Sequence, residues 1–574
     1  MLDLLKKHSN VCAILAIVIL GTFVFSSGLS NPFMGDDIPQ IVDNIPVHSV
    51  SNIPLFFRGS TFYNGQGLSP LDGVFYRPLM MTGFSAIYTI FGANSLPFHI
   101  LQIGLHIGSA VLVFLVLRYF IRQEISFALS IIFLVHPINS QAVFSIPALQ
   151  EPLFMFFGLL GMWTLIRFQD RSRWYLLLTV ACLLLSLFAK ETAILFAIIM
   201  VMYTALADKK RFMPLLLLSV LSIAAYLLLR ENAVGPFTNP HVAPIDELNI
   251  WGRLINIPAI TLFYFAKFLL PIGLAQTYYW HIGSYADFFL PLALLATILL
   301  AYLRIGFALR SLSDKRPLIL FVLFGAWLAV GLGLHLQIVP LDATANEAWF
   351  YFPIVGLLGV LGVLYDTFGS KSPNRVIIWL GIIYILLLAS RTYTRGFDWS
   401  DQTNMAKINL SVSKEDYISE NQIANSFVRN GKYQEAKNHV ERSIKLYPTF
   451  TNYNTLGLVL IGQGDYPGAK AAWLKSIQYG GDQVGPYTNL VALTMVYGEL
   501  DENGRFAVSV VKKFPKNADI WFFIAILASR HNDNEKAKYS IAQAEKYGHH
   551  DTYIYNKIMN NESFVYNLDT RPRE

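Results

Sequence analysis

Eleven apolar runs crowd the first 395 positions and leave this chain few ways to fold. A helix needs about 20 apolar residues to cross the ~30 Å hydrocarbon core, where every backbone N–H and C=O must be satisfied within the segment. The runs lie near 11–29, 97–119, 124–146, 152–168, 173–189, 191–207, 212–230, 286–308, 317–337, 350–367 and 374–394. Only 14% of residues are charged, against about 25% in soluble domains, and the deficit falls before Arg395. The expectation is an all-α polytopic membrane bundle over 1–395, opening on an uncleaved span after Lys6 and Lys7.

Two further stretches, 78–92 and 253–271, are ambiguous, and charge decides them. If both lie along the membrane surface, the short basic clusters fall on one side: Arg118 with Arg122, then Arg167, Arg171 and Arg173, then Lys209 to Arg211. Arg310, Lys315 and Arg316 join them, as do Lys371 and Arg375. Short basic loops face the cytoplasm, so eleven crossings put the C-terminal third on the other side. The loops around Asp36, His136, Glu151, Lys190, Arg230 and Glu347 share that outer side.

After Lys414 the chain becomes self-similar. Gly431, Tyr433, Ala436 and Ser443 recur 33 residues later as Gly464, Tyr466, Ala469 and Ser476. Ala507 and Ala537 continue the frame, and Pro448 and Pro515 close helical pairs. A small residue at the helix crossing, an aromatic knob and a terminal proline mark tetratricopeptide repeats. The expected layout is a linker over 396–419, about four repeats over 420–548 and a tail over 549–574. His531, Asn532 and Asn534 replace the glycine turn in the last unit, which suits a cap. Such an array is expected to grip an extended polypeptide; a structural or oligomerising module is the alternative.

Ionisable residues at membrane edges mark functional sites. The adjacent carboxylates Asp36 and Asp37 suit a general base toward a hydroxyl, or a divalent cation. His136-Pro137 ends a span, and Glu151 opens the next against Pro152. Lys190-Glu191 interrupts the apolar run from Tyr175 to Tyr203, so the pair marks an outer turn. A lysine there either neutralises an acid or meets a lipid phosphate. Arg77, Arg230 and Arg395 are outer cations of the same kind. Glu347 stands at the head of an aromatic stretch, Trp349 to Phe352. No phosphate loop, nucleophile elbow or zinc motif is present, Cys12 and Cys182 lie in apolar segments, and no basic stripe fits nucleic acid. A donor would have to arrive in the bilayer.

The ordered set Asp36-Asp37, Arg77-Pro78-Leu79, His99 with His106, and His136-Pro137-Ile138-Asn139 resembles a known family. Glu151, Lys190-Glu191, Glu347 through Pro353, Arg395 with Trp399 and Asp401, and the repeats complete it. The chain is similar to the transmembrane and tetratricopeptide-repeat O-mannosyltransferases, within the GT-C class of glycosyltransferases. That resemblance implies a GT-C-like bundle with juxtamembrane helices roofing the site, a match for 78–92. It implies an inverting transfer of sugar from a polyprenyl-phosphate donor to a hydroxyl acceptor of an exported polypeptide, in a plasma, inner or endoplasmic-reticulum membrane. Mapped residue by residue, Asp36 or Asp37 takes the acceptor proton and Glu151 orients a substrate or helps bind a cation. Lys190, Arg230 and Arg395 meet the leaving phosphate, and Arg77, His136, Glu191, Glu347 and Tyr351 support them. Gln141 stands where the resemblance leads one to expect an acid. Glycosylation of an envelope glycan or lipid, and a non-enzymatic repeat scaffold, are the competing readings.

Overall fold

A computed structural model describes residues 9–61, 75–168, 174–236, 243–282, 285–369, 375–480, 483–497 and 500–562. Arg171, Arg173 and Lys371 of the basic clusters lie outside these. The described residues are almost wholly helical. The exception is a pair of two-residue antiparallel strands, Thr277–Tyr278 and Ala345–Asn346, with Thr277 opposite Asn346.

Seven helices among the described residues are long and apolar enough to cross a membrane: Asn10–Gly28, Ser95–Phe120, Ile146–Arg167, Lys209–Val234, Asp287–Arg310, Arg316–Gly333 and Arg375–Ser400. An eighth candidate is bent by 48° between Gln123–Val135 and Pro137–Phe144. The break has a local cause. Pro137 offers no N–H to the helix, and the His136 ring caps the new start by accepting from Ile138 N–H at 3.2 Å. Trp174–Ala189, Glu191–Ala207 and Pro353–Phe368 are apolar but shorter. Added to the others they match the eleven runs one for one. Pro78–Phe91 has 14 residues and spans only about 21 Å at 1.5 Å per residue, too short to cross. Ile250–Leu269 turns Tyr264 and Phe268 inward and keeps Arg253 and Lys267 near its surface. The chain is an all-α integral membrane protein.

This first compact unit runs to Asp416, so 396–416 is no linker. Gln276 N–H donates to the Asn409 side chain at 3.0 Å and Tyr279 N–H to Ser413 Oγ at 3.3 Å, which ties Gln402–Val412 to the bundle.

The second unit, from Tyr417, is a solenoid of helical pairs: Tyr417–Arg429 with Tyr433–Leu446, Phe450–Gly462 with Tyr466–Tyr479, Val484–Tyr497 with Leu500–Lys513, and Ala518–Arg530 with Asn534–Lys546. The repeat is physical as well as textual. Ser443 Oγ donates to Tyr417 O at 2.7 Å, and Ser476 Oγ to Phe450 O at 2.6 Å, each reaching back 26 residues. Ala436, Ala469, Ala507 and Ala537 are fully buried at the crossings. Gly431 and Gly464 take positive φ at the turns, and Asn532 fills that left-handed position in the last pair, a role asparagine tolerates. The expected tail begins with a helix, Thr552–Met559, whose Ile554, Tyr555 and Ile558 join the last core cluster.

Gly457 lies against the Trp473 indole, so a Cβ there would collide with it. Gly457→Leu is expected to destabilise its repeat by about 1–3 kcal/mol through overpacking. Faster amide hydrogen exchange over 450–479 in the purified full chain checks this.

Candidate active site

The loop after the first span is fixed at its root. Asn31 is buried; its side chain donates to Gly396 O at 3.0 Å, and its carbonyl accepts from Ser95 Oγ at 2.8 Å and His99 Nε2 at 3.1 Å. From that anchor the chain turns at Gly35, whose φ is +58°, and presents Asp36 and Asp37 differently. Asp37 is buried, with one carboxylate oxygen accepting Met34 N–H at 2.8 Å and the other left without a partner among the described residues. Asp36 is exposed. Protein surrounds it closely enough that desolvation raises its carboxyl above the usual carboxylate range, and the charge of Asp342 pushes the same way.

Asp342 is the residue the sequence reading missed. Its loop is laced together by Gln337, which is fully buried and held at φ +60°. The Gln337 amide donates to Ala343 O at 2.7 Å and Thr344 O at 3.1 Å, and its oxygen accepts Leu341 N–H at 3.0 Å. Arg253 Nε donates to the Gln337 carbonyl at 3.0 Å. Asp342 is thereby held within electrostatic range of Asp36 on one side and of Arg77 and Lys190 on the other. The signal available beforehand was a lone acid in an outer loop, which is ordinary.

Two ion pairs complete the cluster. Lys190 meets Glu151 at 2.5 Å, both buried, and Arg77 meets Glu191 at 3.4 Å. Glu151 also feels Arg77 and Glu191, so the pairs are neighbours. The Lys190-Glu191 break therefore splits its charges between two partners on different elements; it does not neutralise itself. Arg230 caps its own helix end by donating to Gly235 O at 2.8 Å, within range of Tyr226, which also senses Arg77 and Glu191. Asp36, Asp342, Glu151, Lys190, Arg77, Glu191 and Arg230 thus gather at one end of the bundle.

Arg395 and Glu347 are placed otherwise. The Arg395 guanidinium is fully buried, bonded to Glu347 at 3.1 Å, Asp398 at 2.9 Å, Leu274 O at 3.2 Å and Ser140 Oγ at 3.3 Å, with Trp399 under it at 4.6 Å. With four of its five N–H groups engaged by protein and no exposed surface, it acts here as a structural crosslink. Glu347 also accepts from Tyr278 OH at 2.8 Å. His136 is a neutral cap, accepting from Ile138 at Nδ1 and bonded at Nε2 to Phe268 O at 2.9 Å. Tyr351 OH bonds His106 Nδ1 at 2.6 Å in the core. His335, just past the end of Arg316–Gly333, bonds Gly331 O and stacks on Trp349 at 5.1 Å. Gln141, at the expected acidic position, accepts Ala348 N–H at 3.2 Å. No group of three or more His, Cys, Asp or Glu side chains gathers as a metal site among the described residues.

No protein-family model matches the chain. It is 24% identical over 454 residues to a protein O-mannosyl-transferase of Caenorhabditis elegans, an alignment covering 77% of this chain and 64% of that one. It is 22% identical over 453 residues to the protein O-mannosyl-transferase TMTC3 of Mus musculus, covering 72% and 49%. The chain is O-mannosyl-transferase-like. The family resemblance read from the motifs is borne out, and the chain spans about half to two thirds of the length of the relatives it matches. Among solved structures, the repeat protein YrrB, described as having an unusual peptide-binding site, matches at 17% identity over 29% of this chain and 86% of that one, with a TM-score of 0.22. In this chain the acids and cations of the candidate site come from six separate segments.

Removing one partner of a buried ion pair leaves the other less well compensated. Glu347→Ala is expected to cost about 3 kcal/mol of stability, with Glu347→Gln milder because it keeps a hydrogen-bond acceptor. Thermal unfolding of the full chain in detergent measures both.

Proposed function

We propose that this chain is a membrane glycosyltransferase that moves a sugar, mannose by its resemblance, from a polyprenyl-phosphate carrier to a Ser or Thr hydroxyl of an exported polypeptide. The observation that carries the reading is the gathering of one exposed acid, Asp36, with a second acid and two engaged cations at one end of an apolar bundle.

The chemistry asks for a base, a cation and access from the bilayer. Asp36 takes the proton from the acceptor hydroxyl as its oxygen attacks the anomeric carbon. The bond from that carbon to the phosphate oxygen breaks, and the carrier leaves as its phosphate. Attack opposite the leaving group inverts the anomeric centre. Arg77 and Lys190 supply positive charge where the phosphate develops its own, a task suited to side chains already held in place. Glu151 and Glu191 hold them there. Asp37, buried beneath Asp36, shapes the turn. On this reading the site and the repeats face the non-cytoplasmic side, and the repeats present the acceptor.

The full chain in liposomes with labelled polyprenyl-phosphate mannose and a Ser/Thr-rich polypeptide tests the reading. Asp36→Asn is expected to lower turnover by about 10²–10⁴-fold, the usual worth of a general base, with the fold intact. Turnover equal to wild type would remove Asp36 from the chemistry. The pH profile adds a signed test. Asp36 works deprotonated, so the rate rises through its pKa, and Asp342 holds that pKa up. Asp342→Asn should move the acid limb to lower pH; a limb that stays put or moves upward contradicts the arrangement.

A further inference from the structure

Five charged side chains meet where Arg375–Gly396 runs beside the end of Ile250–Leu269: Lys267, Glu347, Arg391, Arg395 and Asp398. Three are basic and two acidic, so the group carries one unmatched positive charge. Arg395 takes both carboxylates. Lys267 spends its ammonium on the carbonyls of Ile272 and Gly273, at 2.7 and 2.5 Å. Arg391 is left over. Its guanidinium reaches the Thr394 hydroxyl at a long 3.4 Å, and no carboxylate lies within ion-pair distance among the described residues.

Helical register says where Arg391 points. Tyr384, Leu388, Arg391 and Arg395 follow at spacings of four, three and four, which is one face. At one end of that stripe Tyr384 OH donates to Phe268 O at 3.3 Å; at the other Arg395 donates to Leu274 O at 3.2 Å. Arg391 therefore lies beside the segment 268–274. Leu269, Leu270 and Ile272 of that segment are 62%, 67% and 70% exposed, and Leu387 on the helix is 64% exposed. Such a surface meets lipid. The Asn31 bond to Gly396 O places this seam at the same end of the bundle as the first outer loop.

We propose that Arg391 holds the phosphate of an anionic membrane lipid in this seam, with the acyl or prenyl chain along Leu269, Leu270 and Leu387. A half-buried guanidinium among apolar side chains is costly until an anion meets it, and its planar fork matches phosphate oxygens. Two lipids share this chemistry, a bulk phospholipid and a polyprenyl-phosphate carrier. The second rests on the glycosyl-transfer reading; the first stands without it.

Native mass spectrometry of the full chain, released from nanodiscs of phosphatidylcholine doped with phosphatidylglycerol or with undecaprenyl phosphate, tests the proposal. Wild type should retain one anionic lipid through mild delipidation, and Arg391→Gln should lose it, retention falling at least about fivefold. Arg391→Lys, which keeps the charge, should retain most of it, and both variants should keep the thermal midpoint of lipid-free wild type. Retention of phosphatidylglycerol supports a bulk-lipid site; preference for undecaprenyl phosphate supports a carrier site. Equal retention by wild type and Arg391→Gln in both nanodiscs overturns the proposal. Asp36→Asn should retain the lipid as wild type does, so the lipid site and the glycosyl-transfer reading fail separately.

Discussion

The ion pair between Arg395 and Glu347 is the fixed point of the membrane unit. Both side chains are fully buried, and neither would be stable there alone. Their bonds reach Leu274, Ser140, Asp398 and Tyr278, which belong to parts of the chain up to 258 residues apart in sequence. One crosslink thus sets the relation of the last helix, the bent third span, the short strands and the segment before Pro353–Phe368. Burying such a pair brings little net stability; what it supplies is registry, because removing either charge leaves the other buried with its charge less well compensated.

That assignment governs the rest of this end of the bundle. With Glu347 consumed, the acids left to the candidate site are Asp36, Asp37, Asp342, Glu151 and Glu191, and each has a distinct station. Glu151 and Glu191 hold cations, Asp37 is buried under its own turn, and Asp36 and Asp342 are exposed. Like charges brought close in poorly solvated surroundings resist ionisation together, so Asp342 tunes Asp36. With Arg395 consumed, Arg391 carries the positive charge that the protein itself does not match.

Much of the architecture was legible because it follows from periods. Apolar runs of membrane length, the proline after His136 and the 33-residue repeat each act locally, and the helices appear where they were read. The last repeat was legible for the same reason: Asn532 can adopt the glycine turn, so a weak match still folded alike. The supposed linker and tail were misread where locality fails. Residues 402–412 look polar and unattached in sequence, yet Asn409 and Ser413 satisfy backbone donors of the 276–279 segment. Asp342 was invisible because its importance comes from a loop fold imposed by Gln337, in a backbone conformation that glutamine rarely adopts.

The sequence by itself determined which segments are helical, which are apolar enough for a membrane, where the solenoid begins and which charged residues sit at helix ends. Those properties depend on neighbours three or four residues away. Only the tertiary structure decided which charge meets which: Lys190 with Glu151, Glu191 with Arg77, Arg395 with Glu347, and Asp36 with Asp342. Coulomb energies fall with distance in space, and the spacing of residues along the chain says nothing of that distance once helices have turned back on one another.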